Sequence, residues 1–306
     1  MKYLVLGGGG FMGSFIVDAL LARGDAVRIF DRPSLVRYRE FSPGELVEWQ
    51  EGDFQSAADL AAAVQGIDVV FHLVSTTLPK SSNDDPEFDV TSNVVGTIRL
   101  LDLSIRRGIR KVIFISSGGT VYGRPTTLPV GEDHPTEPIV SYGISKLAIE
   151  KYLRLYHELH GLEYAVLRVA NPYGERQRVN AAQGAVAVFL HRALADQPIQ
   201  IWGDGSVVRD YIHVSDVVDA FLAAAAYRGS QRVFNIGSGT GCSLNELLGH
   251  IESLLGRPVR REYLAARSFD VPASVLDITR AREVLGWSPS VSLRDGLART
   301  IEFLRT

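Results

Sequence analysis

A short apolar run, Tyr3–Leu6, passes without a break into Gly7-Gly8-Gly9-Gly10-Phe11-Met12-Gly13, and an amphipathic stretch, Phe11–Arg23, begins inside that segment. A strand that turns through glycine directly into a helix is a βα unit. The segment satisfies both Gly8-x-Gly10-x-x-Gly13 and Gly7-x-x-Gly10-x-x-Gly13. Glycine there lets the turn tighten and lets a pyrophosphate approach the backbone, and the helix start offers free N–H groups and a positive dipole end. The next strand, Ala26–Phe30, ends on Asp31, 18 residues beyond Gly13. A carboxylate at that point accepts hydrogen bonds from an adenosine ribose 2′-OH and repels a 2′-phosphate, which favours NAD over NADP. Arg32 follows immediately and works the other way, because a guanidinium can accommodate the phosphate. Asp53, after a third strand, suits an adenine amino group or a plain turn.

The alternation continues. Leu46–Trp49, Val69–Val74 and Lys111–Ile115 read as further buried strands, with Ala57–Val64 and Val90–Arg107 as the helices between them. Strand and helix in strict alternation predict an α/β fold: a Rossmann-type doubly wound parallel sheet with right-handed crossovers. From Asn171 the rhythm loosens through Pro172, Gly174, Pro198, Gly203 and Gly205, so a smaller C-terminal substrate-binding lobe is expected over 171–306. The NAD-binding domain is expected over 1–170, with 209–238 returning to it through Asp216–Ala226 and Val233–Ile236. Ser243-Leu-Asn-Glu246 is a capping box for a helix ending near Gly256, and Leu293–Leu304 is the last helix.

Composition removes several function classes. The chain has 306 residues and a formal net charge of −3, with 32 Lys plus Arg against 35 Asp plus Glu, so no basic field exists to hold nucleic acid or an acidic membrane. The single cysteine, Cys242, is expected to be a small packed side chain, and no Cys/His spacing suits a metal. No signal-peptide core precedes Gly7 and no apolar run reaches the ~18 residues of a membrane span, so a cytoplasmic setting is expected.

The second chemical signal is Tyr142-Gly-Ile-Ser-Lys146, opening a helical pattern behind Ser141, a natural N-cap. Spacing i, i+4 puts Tyr142 and Lys146 on one face. A phenol is a poor base at neutral pH, and lowering its pKa from near 10 to about 7 takes roughly 4 kcal/mol of differential stabilisation. An adjacent ammonium together with a nicotinamide cation is a suitable source.

Taken in order, Gly7–Gly13, Asp53, Phe71-His72-Leu73, Ser116–Gly123, Tyr142/Lys146, Arg168-x-x-Asn171-Pro172-Tyr173-Gly174, Arg209–Asp216 and Leu285-Gly286-Trp287-x-Pro289 resemble the extended short-chain dehydrogenase/reductase superfamily. Within it the chain is most similar to nucleotide-sugar epimerases and dehydratases, above all UDP-glucose 4-epimerases, over essentially its whole length. The resemblance implies NAD held by Gly7, Gly10, Phe11, Met12, Gly13, Asp31, Arg32, Asp53, Phe54, Leu73, Ser75, Tyr142 and Lys146. It implies a UDP-sugar held by Asn171, Arg209, Arg267 and Asp270, with Arg209 and Arg267 on the diphosphate and Asp270 on a ribose. It also implies a homodimer through Val90–Arg107 and Tyr142–His160.

The chain departs from the family at one reacting position. A Ser or Thr four residues before the Tyr-Gly of the post-strand motif usually hydrogen-bonds the reacting sugar hydroxyl, and here that residue is Gly118. Ser117 and Thr120 flank the gap, and Thr120 is the expected substitute. Gly119 and Thr120 supply no carboxylic acid, which disfavours dehydration and decarboxylation. Ser274 stands where a bulky tyrosine marks glucose/galactose-restricted relatives, so room for an N-acetyl group is expected. Thr76 and Lys80, in the loop after the fourth strand, are expected to border the sugar or simply to lie in solvent. His213 is expected to be a structural or hinge residue, because no acid accompanies it at triad spacing. The expected activity is NAD-dependent 4-epimerisation of a UDP-hexose, with a 4-ketosugar reductase and a non-catalytic NAD or nucleotide-sugar binder as alternatives.

Overall fold

The computed structural model describes residues 1–178, 184–266 and 271–305. Among these the strands are β1 (Lys2–Leu6), β2 (Ala26–Asp31), β3 (Val47–Glu51), β4 (Val69–His72), β5 (Lys111–Ser117), β6 (Glu163–Val169), β7 (Asn171–Tyr173), β8 (Ile199–Trp202), β9 (Val208–His213), β10 (Val233–Ile236), β11 (Gly241–Ser243), β12 (Arg261–Leu264) and β13 (Ala273–Ser274). The helices are α1 (Phe11–Ala22), α2 (Ala57–Ala63), α3 (Pro79–Asp84), α4 (Pro86–Asp89), α5 (Gly96–Arg107), α6 (Ser141–His160), α7 (Ala185–Leu194), α8 (Val214–Ala226), α9 (Leu244–Leu255), α10 (Thr279–Leu285) and α11 (Leu293–Arg305).

Seven strands form one parallel sheet in the order β10-β6-β5-β4-β1-β2-β3. Because residues alternate across a strand and both faces of the central strands are covered, β1 and β4 read as near-continuous apolar runs, whereas the edge strand β3, Val-Glu-Trp-Gln-Glu, does not. In β1, Tyr3 and Val5 enter the layer shared with α1 and α8, while Leu4 and Leu6 enter the layer shared with α2, α5 and α6. The chain winds outward from β1 in both directions, so the switch point lies between β1 and β4. Ligand crevices open at such a point, beyond the carboxyl ends of the strands.

The second lobe packs α7, α9 and α11 around β8 and Tyr211 of β9. Its strands form two small sheets, β11-β9-β13 with β7 beside β9, and β12-β8. Of the span 209–238, α8 and β10 pack into the core of the first lobe, while β9 lies in the small sheet. Ala281 of α10 and Trp287 also return to the first core, and Trp287 Nε1 donates to the Asp216 carbonyl at 2.9 Å. The lobes are therefore interleaved.

Two helix readings change. Val90–Arg107 is not one regular helix: Val90–Val95 is a π-helical turn, and α5 starts at Gly96. Ser141 is not the N-cap of α6. That position is Val140, which has no side chain to cap with. The capping box of α9 is present as expected, with the Glu246 carboxylate accepting from Ser243 N at 2.7 Å.

Candidate active site

The glycine loop sits at the carboxyl end of β1. Gly7 adopts φ +82°, which favours glycine, and its N–H donates to the Phe30 carbonyl at 2.8 Å. A Cβ on Gly13 would lie 2.1 Å from the Gly7 carbonyl oxygen, so the helix can approach the turn this closely only without a side chain. Gly10 occupies the cap position of α1 without a capping side chain, which leaves the first-turn N–H groups to a ligand. Asp31 accepts from Gly9 N at 3.0 Å and Arg32 N at 2.9 Å. Burial pushes its carboxyl up, and those two N–H groups pull it down. Arg32 is exposed beside it, and Leu73 follows β4 against Gly7. This cradle fits the pyrophosphate and adenosine ribose of NAD.

Other expected cofactor residues are placed less directly. Asp53 is exposed and accepts from Gln55 N at 2.9 Å. The Phe54 ring is committed to the core against His72, at 5.0 Å between ring centres, and only its backbone is left for a ligand. Phe11 and Met12 are half-buried on α1, and Ser75 Oγ donates to the Thr77 carbonyl at 3.1 Å.

Tyr142 and Lys146 share a face of α6, with Lys146 Nζ 5.5 Å from the Tyr142 ring centre. Lys146 is buried, donates to the Ile115 carbonyl at 3.0 Å and lies 4.7 Å from the Phe114 ring centre. Burial pulls its ammonium down to about 8 against the opposing pull of Asp89 and Glu150. The Tyr142 phenol is pushed up to about 12, first by burial, with the Ser75 hydroxyl lowering it and Asp89 raising it further. The expected lowering by lysine is not found in the protein alone: burial dominates the phenol, and Ser75 and Asp89 are the groups that shift it further.

Thr120 packs against the first turn of α6, where a Cβ on Gly143 would lie 2.9 Å from its carbonyl oxygen and 3.2 Å from its Cβ. Its Oγ1 is buried without a hydrogen-bond partner. A buried hydroxyl without a partner is costly unless a ligand completes it. Ser117 is half-buried, and its carbonyl accepts from Thr120 N and Val121 N. At Gly118 the Cβ direction points elsewhere, 2.5 Å from Leu276 Cδ1 and 3.1 Å from the Arg168 carbonyl oxygen.

Behind α6, Arg168 forms a buried ion pair with Glu150 at 2.6 Å and donates to Tyr122 Oη at 2.9 Å. Glu150 also accepts from Ser116 Oγ at 2.5 Å. Glu150 escaped the sequence reading, although it lies at i+4 from Lys146 on the buried face of the helix.

On the other side of the crevice, Asn171, Arg209, Trp202, Tyr211 and Leu244 line a cavity of about 220 Å³. Asn171 Nδ2 donates to the Asp210 carbonyl at 2.9 Å, and Arg209 donates to the Val271 carbonyl at 2.7 Å. The Tyr211 hydroxyl is buried without a partner. Ser274, buried in β13, pairs in register with Arg209. Arg267 and Asp270 lie outside the described residues. Thr76 is exposed, but its N–H donates to Asn93 Oδ1 at 3.0 Å and its hydroxyl meets Ser92 Oγ at 2.5 Å; Lys80 is exposed on α3. His213 does have an acid: Glu175 lies 3.2 Å from its Nε2, supplied from 38 residues away in sequence. Its Nδ1 caps α8 at Ser215 N, so the ring is structural, as expected. Cys242 is buried. Among the described residues no metal-binding cluster occurs, and no helix is long and apolar enough to cross a membrane.

Residues 3–237 match the model of the NAD dependent epimerase/dehydratase family. The chain belongs to this family. It is 42% identical over 311 residues to a UDP-glucose 4-epimerase of Mycolicibacterium smegmatis, covering 100% of this chain and 99% of that one. Its fold superposes with a TM-score of 0.93 on the UDP-glucose 4-epimerase of Thermotoga maritima solved with UDP-glucose, at 38% identity and over 100% and 99% of the two chains. A TM-score of 0.93 is also found with the UDP-N-acetylglucosamine 4-epimerase of Methanobrevibacter ruminantium solved with UDP-N-acetylmuramic acid, at 29% identity and over 99% and 98%. The cofactor of this family member is NAD, which agrees with the glycine cradle and with Asp31.

Proposed function

We propose that this NAD-dependent enzyme inverts C4 of a UDP-hexose, and that it accepts UDP-N-acetylhexosamines alongside the plain hexoses. The observation that carries the reading is the pairing of Tyr142 and Lys146 on one face of α6, with Thr120, whose hydroxyl has no partner, packed against the first turn of that helix. Tyr142 takes the proton from the sugar O4 and returns it, and Thr120 hydrogen-bonds that oxygen. Ser117 stands one turn away as the second hydroxyl. Lys146 places a positive charge beside the phenolate. NAD supplies the hydride acceptor and, after the 4-keto sugar has turned over, the donor. Arg209 and Arg267, with Asn171, hold the diphosphate at the lobe junction, and Asp270 holds a nucleotide ribose.

The small Ser274 beside Arg209 supports room for an acetamido group, and the relatives named for UDP-glucose and for UDP-N-acetylglucosamine support both sugars. We also propose a cytoplasmic homodimer built on α5 and α6. The test is to incubate the protein with UDP-glucose, UDP-galactose, UDP-GlcNAc and UDP-GalNAc without added cofactor and to follow interconversion by NMR. Turnover of both pairs is expected; turnover only with external NAD(P)H would show a reductase instead. Ser274→Tyr should abolish turnover of the N-acetyl pair and spare the other. Equal loss of both sinks the assignment of Ser274.

A further inference from the structure

The first turn of α6, which carries Tyr142, is fastened by residues more than fifty positions away. Ser141 N donates to Asn83 Oδ1 at 2.9 Å, and Tyr142 N donates to Ser82 Oγ at 2.9 Å. The hydroxyls of Ser141 and Ser145 both donate to Asp89 Oδ2, at 2.9 Å and 2.6 Å. The other carboxylate oxygen accepts from Asn93 Nδ2 at 3.0 Å and from the Thr77 hydroxyl. Asp89 is completely buried, and among the described residues its hydrogen-bond donors are hydroxyls and an amide. An ion of this kind is retained only when its lone pairs are filled, and here hydroxyls and an amide fill them. Ser141 and Ser145 each precede a member of the Tyr142/Lys146 pair, so one carboxylate fixes the turn on both sides of the phenol.

We propose that Asp89 is the positioning residue of the proton-transfer pair, holding the first turn of α6 in register with the crevice and standing as a fixed anion beside Tyr142 and Lys146. The inference rests on the roles given to those two residues above. The groups facing Lys146 are Asp89 from α4, Glu150 from its own helix and His72 from β4. Glu150 also raises Lys146 although it is ion-paired to Arg168, and burial holds the His72 imidazole down at about 3, so it stays neutral. Tyr142 faces Asp89 and the Ser75 hydroxyl. Asp89 therefore raises both members of the pair, and removing its charge lowers both.

The test is Asp89→Asn, which keeps the shape and removes the charge, assayed as the NAD-loaded protein. The expected result is a kcat about tenfold lower with KM within about twofold, native NAD content, and both limbs of the kcat profile moved to lower pH by about half a unit or more. A folded, loaded Asp89→Asn protein whose profile does not move overturns the proposal, because a purely structural loss lowers the profile without shifting it. Should that variant not accumulate, Ser141→Ala/Ser145→Ala removes both hydroxyls and keeps the acid; kcat should fall about fivefold with KM held, and wild-type kcat overturns the proposal. Tyr142→Phe assayed in parallel separates the two levels: retained turnover there refutes the role of Tyr142, whereas its loss beside an unmoved Asp89→Asn profile refutes this inference alone.

Discussion

Lys146 carries its charge in a site that disfavours charge, with the Ile115 carbonyl and the faces of Phe114 and Tyr142 as its close partners. Burial favours the neutral amine, so its proton is lost at lower pH than that of an ordinary lysine, at about 8. Since the phenolate of Tyr142 needs that positive charge, kcat should decline as pH rises through about 8. The measurement is kcat against pH for the NAD-loaded protein. A profile flat across that value shows that the proton on Lys146 is not required. Gly118 makes a different residue-scale point. In sequence it is a lost hydroxyl; in space its missing Cβ is the room that Leu276 fills. Gly118→Ser should therefore cost about 1–3 kcal/mol by overpacking without adding activity, and Leu276→Ala in the same chain should return part of that stability. Denaturant unfolding of the two variants decides it, and a stable Gly118→Ser with higher kcat would show that the hydroxyl does belong there.

At the scale of elements, α6 shows how a helix can be started by its surroundings. Its sequence offers Ser141 as a cap, yet that hydroxyl serves Asp89 and the orphan N–H groups are satisfied by Ser82 and Asn83 of α3. No local pattern signals this, because the capping groups are fixed by how the segment after β4 folds back. The π-turn at Val90–Val95 escaped for a related reason. Its residues have ordinary helical periodicity, and only the demand that Asn93 reach both Thr76 N and Asp89 reveals the wider turn. The capping box at Ser243–Glu246 was legible because both partners lie within four residues. Losing a cap side chain costs about 1 kcal/mol, so Asn83→Ala should lower Tm modestly and, by freeing the start of α6, should lower kcat as well. An equal cap deletion at α9, Ser243→Ala, should lower Tm alone. If both variants leave kcat untouched, α3 caps the helix without ordering the site.

At the scale of the whole molecule, the cofactor half of the site was readable because one βα unit and one strand end build it: Gly7–Gly13 and Asp31 lie within 25 residues of one another. The sugar half was not readable in the same way. Its cavity draws on β7, β8 and β9 and on the start of α7 and α9, and which of their side chains converge is decided by the interleaving of two lobes. Surface composition gives a last inference at this scale. On α6, Ile144, Leu155 and Leu159 are exposed apolar side chains. At 100° per residue, the steps of 11 and 15 from Ile144 return to within about 60° of it, so the three form one outward stripe. The stripe runs along the helix whose opposite face carries Lys146, and Tyr156 ties α6 to α5 by a 2.5 Å bond to Asp102. A stripe of this kind costs solubility unless a second copy covers it. Pairing of two α5/α6 surfaces about a two-fold axis would bury both stripes at once. On the proposed pairing, the unaltered protein should sediment as a dimer and Leu155→Glu/Leu159→Glu as a monomer. Its bound NAD should be retained, because the glycine cradle is built from β1 and the start of α1, within one chain. A variant that stays dimeric places the interface on another face.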